Sequence, residues 1–141
     1  MSEEKISRLI VEQRNINQLM ENIYNEILTL QNSIEERRRA LQFLEKFSEL
    51  DKDTEVLFPL GGGLYLKANI PKQETIFANV GAQIYLDKKI EEIIPQIKNA
   101  IEQMNSLLEE RRKLLESLRT RYDEISAELT ELYFKASGRK Q

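Results

Sequence analysis

Two stretches of this chain repeat their apolar residues at alternating steps of three and four, and that spacing restricts the fold more than any other feature. The first runs Ile6, Leu9, Ile16, Met20, Ile23, Ile27, Leu30, Ile34, Leu41 and Leu44, filling ten of thirteen seam positions between 6 and 48, with Gln13, Arg37 and Ser48 as exceptions. The second runs Ile90, Ile94, Ile97, Ile101, Met104, Leu108, Leu115, Leu118, Tyr122, Ile125, Leu129, Leu132 and Ala136, broken only by Arg111. A heptad pattern sustained this long calls for a supercoiled partner helix rather than a globular core.

The two arms are nearly equal in length, so the nearest partner for each is the other, folded back antiparallel. Each helix would then be roughly 70 Å long. If Ser48 lies near Ile90, counting outward places Ile6 near Leu132, and the two chain ends meet. Arg37 and Arg111 face different partners on this count, and each is expected to reach water or a flanking Glu while fixing the register. The runs Glu35 to Arg39 and Glu109 to Lys113 mix both signs and suit solvated flanks. Pro95 interrupts the second register, which predicts either a short separate turn over 88 to 94 or a kinked helix, with Asp87 as a helix cap.

Composition narrows the function classes. With 40% hydrophobic and 32% charged residues in 141, the chain suits one elongated helical domain better than a compact globule. A net charge of −3 with mixed signs argues against a general binder of nucleic acid or anionic membrane. No Cys or His is present, which removes thiolate chemistry, the usual zinc ligands and the commonest general base. No apolar run approaches the roughly 20 residues that span a bilayer, and MSEEKISRLIVEQ opens unlike a signal peptide. A cytoplasmic protein without metal, cofactor or catalytic activity is expected, since its carboxylates lie on exposed helix faces with no pocket in prospect.

Between the arms stands a different kind of sequence. Val56 to Leu60 suits a short edge strand around Pro59, Gly61 to Gly63 turn the chain, and Leu64 to Ile70 alternate as a half-buried strand. Pro71 to Glu74 predict a polar turn, and Thr75 to Val80 and Ala82 to Leu86 two more strands split by Gly81. The glycines lack the following Lys-Ser or Lys-Thr and the helix that a phosphate cradle needs, so they are turn residues. Two hairpins this short are marginal alone and present edges that recruit further strands, so pairing with other chains is expected.

With FPLGGGLYLKANI and TIFANVGAQIYLDKKIEE set between two heptad arms, the whole chain resembles the prefoldin family, and within it the archaeal-type alpha class, whose inserts carry two hairpins. The resemblance implies an antiparallel two-helix coiled coil whose hairpins join an intersubunit β-barrel, in a hexamer of two alpha-class and four beta-class subunits. It further implies an ATP-independent chaperone that holds unfolded proteins at the coiled-coil tips and delivers them to a group II chaperonin. The expected division is a single domain with a first helix over 1–50, an oligomerisation insert over 51–87, a second helix over 88–136 and a flexible tail over 137–141.

From the resemblance and the seam count a client-binding tip follows. Ile10, Val11, Tyr133 and Phe134 lie off the seam beside Ile6, Leu9, Leu129 and Leu132, and exposed apolar groups attract unfolded chains without reading sequence. Oligomerisation is expected through Leu64, Leu66, Ile70, Ile76, Ala78, Val80, Ile84 and Leu86. A self-assembling filament or scaffold of the same fold is the alternative function.

Overall fold

The computed structural model describes residues 2–138. Helix α1 (Ser2–Ser48) is followed by β1 (Thr54–Gly61), β2 (Leu64–Ile70), β3 (Thr75–Gly81), β4 (Ile84–Lys89) and helix α2 (Ile90–Gly138). No Gly or Pro interrupts the 47 residues of α1, so nothing in it competes with continued helical hydrogen bonding. Glu3 and Glu4 in its first turn and Lys46 in its last complement the helix dipole. Contacts gather the chain into two compact units, which are taken in turn.

The first unit comprises the described residues through Ser33 and those from Met104 on. Its core is Leu9, Ile16, Ile125 and Leu129, with Ile6, Ile10, Met20, Leu118, Tyr122 and Leu132 packed around them. Ile125 is fully buried. Each such side chain removed from water contributes about 1.5 to 3 kcal/mol, which makes this seam the main favourable term in the unit. Polar contacts fix which residues face each other. Gln13 interrupts the seam, and its Nε2 donates to Ser126 Oγ at 2.6 Å and to the Tyr122 carbonyl at 3.4 Å. The count from Ser48 and Ile90 sets Gln13 across from Ile125, one residue from the bond that forms. Glu12 accepts two hydrogen bonds from Arg121, at 2.8 and 3.1 Å, and Lys5 pairs with Glu128 at 3.1 Å. Arg111, expected to reach water or a flanking Glu, pairs across the seam with Glu26 at 2.9 Å. Half-exposed ion pairs add little energy, but a slip of register would break all of them together.

The second unit, Ile34–Gln103, has Leu44, Phe47, Ile90 and Ile93 as its core, with Ile70, Ile76, Ala78, Ile94 and Ile97 packed against it. Here the seam departs from the expected positions. Phe47 is buried and stacked on Phe43, with centroids 5.6 Å apart, while Ser48 is exposed and donates to the Glu45 carbonyl. Ile93 is the buried residue and Ile94 the half-buried one. The feet of the hairpins supply apolar surface outside the two-helix stripe, and a larger side chain meets it. Arg37 is half-buried, and Ala136, expected in the first unit's seam, is exposed.

The insert makes two separate antiparallel sheets, β1 with β2 and β3 with β4. Lys72 N–H donates to Asp53 Oδ1 at 3.1 Å, tying the linker between hairpins to the entry of β1. Strand β4 passes directly into α2. Asp87 is therefore no helix cap: it pairs with Phe77 in the sheet, and the Ile90 N–H donates to the Glu74 carbonyl at 2.9 Å. Pro95 lies inside α2 without ending it. Six residues into the helix it forfeits one hydrogen bond, and the helix continues because the apolar row resumes on either side. Ser137 and Gly138, expected in a flexible tail, belong to α2, and 139–141 lie outside the described residues. No described helix is long and apolar enough to cross a membrane.

The Glu12 and Arg121 pair sets a pH dependence. Hydrogen bonds from Arg121 hold the Glu12 carboxyl below its ordinary value near 4.5, with the Arg121 charge adding to them and desolvation opposing. A depressed carboxylate stabilises the fold above its ordinary pKa, and that contribution disappears as pH falls through the lowered value. Thermal unfolding followed by circular dichroism at pH 7 and about pH 3 should show a larger acid loss for the natural chain than for Glu12→Gln. Equal losses would remove the pair from the account.

Candidate functional site

Both hairpins turn on two residues of positive φ, the geometry that matches the right-handed twist of paired strands. In the first, Gly62 and Gly63 sit at φ 61° and 80°. In the second the turn is Ala82 and Gln83 at 48° and 60°, so β4 begins at Ile84 and not at Ala82 as expected. Left-handed conformation costs a residue with a Cβ about 1 to 2 kcal/mol, part of which the Asn79 side chain offsets by accepting the Gly81 N–H at 2.9 Å. Each hairpin also carries a bulge just before its turn, between Pro59 and Gly61 and between Asn79 and Gly81.

These two hairpins are the same unit used twice. With Gly61 set over Gly81, Leu64-Tyr65-Leu66 falls on Ile84-Tyr85-Leu86, Val56 on Ile76, and Ile70 on Ile90. Pairing follows suit, with Gly61 facing Leu64 and Gly81 facing Ile84. The repeat of Gly-x-x-(Leu or Ile)-Tyr-Leu is visible in the sequence and was the signal that an element-by-element reading passed over.

Of the residues expected to join chains, Ile70, Ile76 and Ala78 are half-buried against the helix ends of their own chain. They root the hairpins, with part of each side chain already covered by their own chain. Leu64, Leu66, Val80, Ile84 and Leu86 are exposed, between 48% and 65%. The alternation of β2 is thus realised only at its foot, where Ala68 and Ile70 are covered. Leu57, Phe58, Leu60, Tyr65, Phe77 and Tyr85 are equally exposed and were not anticipated; Phe77 and Tyr85 stack at 5.3 Å on the face away from the root. So much apolar surface on two small sheets marks an interaction site.

The other candidate surface is the end of the first unit where the start of α1 and the end of α2 lie. Val11, Tyr133 and Phe134 are exposed there, Phe134 at 79%. Ile10, expected off the seam, is half-buried against it and keeps part of its surface, while Leu9 and Leu129 are buried within it and hold the helices together. Ile6 and Leu132 are half-buried at its rim. Leu19, Tyr24 and Leu28 add exposed apolar area further along α1.

The family model described as "Prefoldin subunit" matches residues 16–135. The prefoldin subunit alpha of Methanococcus vannielii is 32% identical over 84 residues, 60% of this chain and 56% of that one, and so is matched over little more than half its length. That of Thermofilum pendens is 31% identical over 87 residues, 62% of this chain and 67% of that one. Among solved structures, the filamentous PFD from Methanocaldococcus jannaschii superposes with a TM-score of 0.63 at 21% identity, covering 83% of this chain and 97% of its own.

The difference between rooted and exposed residues can be measured. Ile76→Lys buries a charge against the second unit's core and should cost roughly 2 kcal/mol in denaturant unfolding, whereas Ile84→Lys should stay within about 0.5 kcal/mol. Equal losses would mean that Ile84 is rooted too.

Proposed function

The chain belongs to the prefoldin family, and we propose that it works as an alpha-class subunit of an ATP-independent chaperone that holds unfolded proteins at its open helix end. Its hairpins join those of beta-class subunits, two alpha to four beta, and the held protein passes to a group II chaperonin in the cytoplasm. No bond is made or broken, so neither catalytic residue nor cofactor is required.

What supports this reading is the exposure of Val11, Tyr133 and Phe134 on helices whose seam is already filled. An apolar group left in water gains by covering itself with any apolar segment, and the gain depends on area and not on sequence. A folded protein offers little such area; an unfolded one offers it throughout. The surface therefore selects by foldedness. A second reading, a self-assembling scaffold, is favoured by the unpaired hairpin edges and by the filamentous assembly named for the Methanocaldococcus jannaschii neighbour.

The test is suppression of aggregation of a chemically unfolded protein, without nucleotide, by this chain together with a beta-class subunit. Suppression is expected only from the mixture; full activity from the chain alone would argue against the hetero-oligomer. Tyr133→Ser with Phe134→Ser should weaken capture about tenfold and leave the mass of the complex unchanged. Undiminished capture would move the client site elsewhere.

A further inference from the structure

One flank of the first unit repeats a single contact at heptad intervals. Lys5 pairs with Glu128 at 3.1 Å, and seven residues along each helix Glu12 pairs with Arg121 at 2.8 Å. The same step taken once more reaches Leu19 on α1 and Leu114 on α2, exposed at 49% and 40%. A further step reaches Glu26, which takes Arg111, and the exposed Leu107 on α2. Rungs about 10 Å apart therefore run charge pair, charge pair, apolar pair, charge pair. A single exposed leucine is ordinary. Two at one rung of a charged ladder, with a third one heptad away, put apolar surface where a solvated flank carries another ion pair.

This ladder is complementary to itself in one orientation. Its first two rungs carry one sign on α1 and the opposite sign on α2. Laid on the same flank of a second copy pointing the same way, about a two-fold axis parallel to the helices, α1 of each copy covers α2 of the other at equal height. Lys5 then meets Glu128 of the other copy, Glu12 meets Arg121, and Leu19 meets Leu114, so four leucines close on one another beside squares of alternating charge. Turning the second copy end over end about the leucines lays α1 on α1 and sets Glu12 against Glu26, where like charges repel. A slip of one heptad sets Lys5 against Arg121 and Glu12 against Leu114. Charge thus selects one direction and one register.

We propose that this flank pairs with the same flank of a second copy, in the same direction and at the same height, with Leu19 and Leu114 of both copies at its centre. The contact is isologous and closes at two copies. It uses no strand of the insert, and it can hold or fail independently of the capture of unfolded chains. Its consequence is positional: the open ends of two copies are set side by side at one height.

The natural chain has no Cys, so introduced cysteines report the contact without background, and a disulfide accumulates even a transient one. Leu19→Cys and Leu114→Cys, mixed in equal amounts in air, should link to each other, while Leu19→Cys alone should not, because a disulfide bridges Cα atoms only up to about 7 Å apart. Tyr24→Cys and Arg119→Cys, at residues that share a groove on the other flank, should stay unlinked. Exchanging one rung, Glu12→Arg with Arg121→Glu, keeps the ion pair inside each chain and so keeps the fold. With the exchange in both cysteine variants, linking should match that of the unexchanged pair; with it in only one of them, linking should fall about tenfold. Leu19→Cys linking chiefly to itself, equal linking on the other flank, or no loss in the mismatched mixture would each overturn the proposal.

Discussion

Two helices packed side by side can hide only one narrow stripe of each, and most other features of this molecule follow from that geometric limit. Leu9, Ile16, Ile125 and Leu129 fill the stripe in the first unit, and Leu44, Phe47, Ile90 and Ile93 fill it in the second. Any apolar residue placed elsewhere on these helices stays in water unless another body covers it. Val11, Tyr133 and Phe134 are therefore exposed by construction, and no repacking of the pair could shelter them. Polar groups within the stripe then do what apolar ones cannot: Gln13 on Ser126 and Arg111 on Glu26 are satisfied in one alignment only.

The same limit explains how much could be read beforehand. The seams, their antiparallel pairing and the four strands were legible because periodicity reports burial directly. Phe47 in place of Ser48 was not, since the hairpin feet that widen the core there come from residues 23 or more positions later in the chain. Ile76 and Ala78 looked identical to Ile84 and Leu86 by alternation, yet the first pair roots the hairpin and the second is exposed. Distance from the root separates them, and alternation does not encode it. Ala82 and Gln83 were assigned to a strand for a related reason: turn chemistry is announced by Gly or Asn, and here the register of the ladder imposes left-handed geometry on residues that do not favour it.

At the candidate sites the sequence indicated the regions better than the residues. Leu9 and Leu129 fell within the tip by position but serve the seam, and Phe77 and Tyr85, exposed and stacked on each other, were not singled out. Seeing the insert as one motif repeated makes sense of both hairpins at once.

The direct passage of β4 into α2 has a mechanical meaning. Five residues separate Ser48 from Thr54, but none separates Lys89 from Ile90, so the helix inherits the heading of its strand as a spoke inherits that of its hub. The second hairpin and the root of α2 are thereby joined with no linker to absorb a change of direction, whereas five residues of slack stand between α1 and the first hairpin.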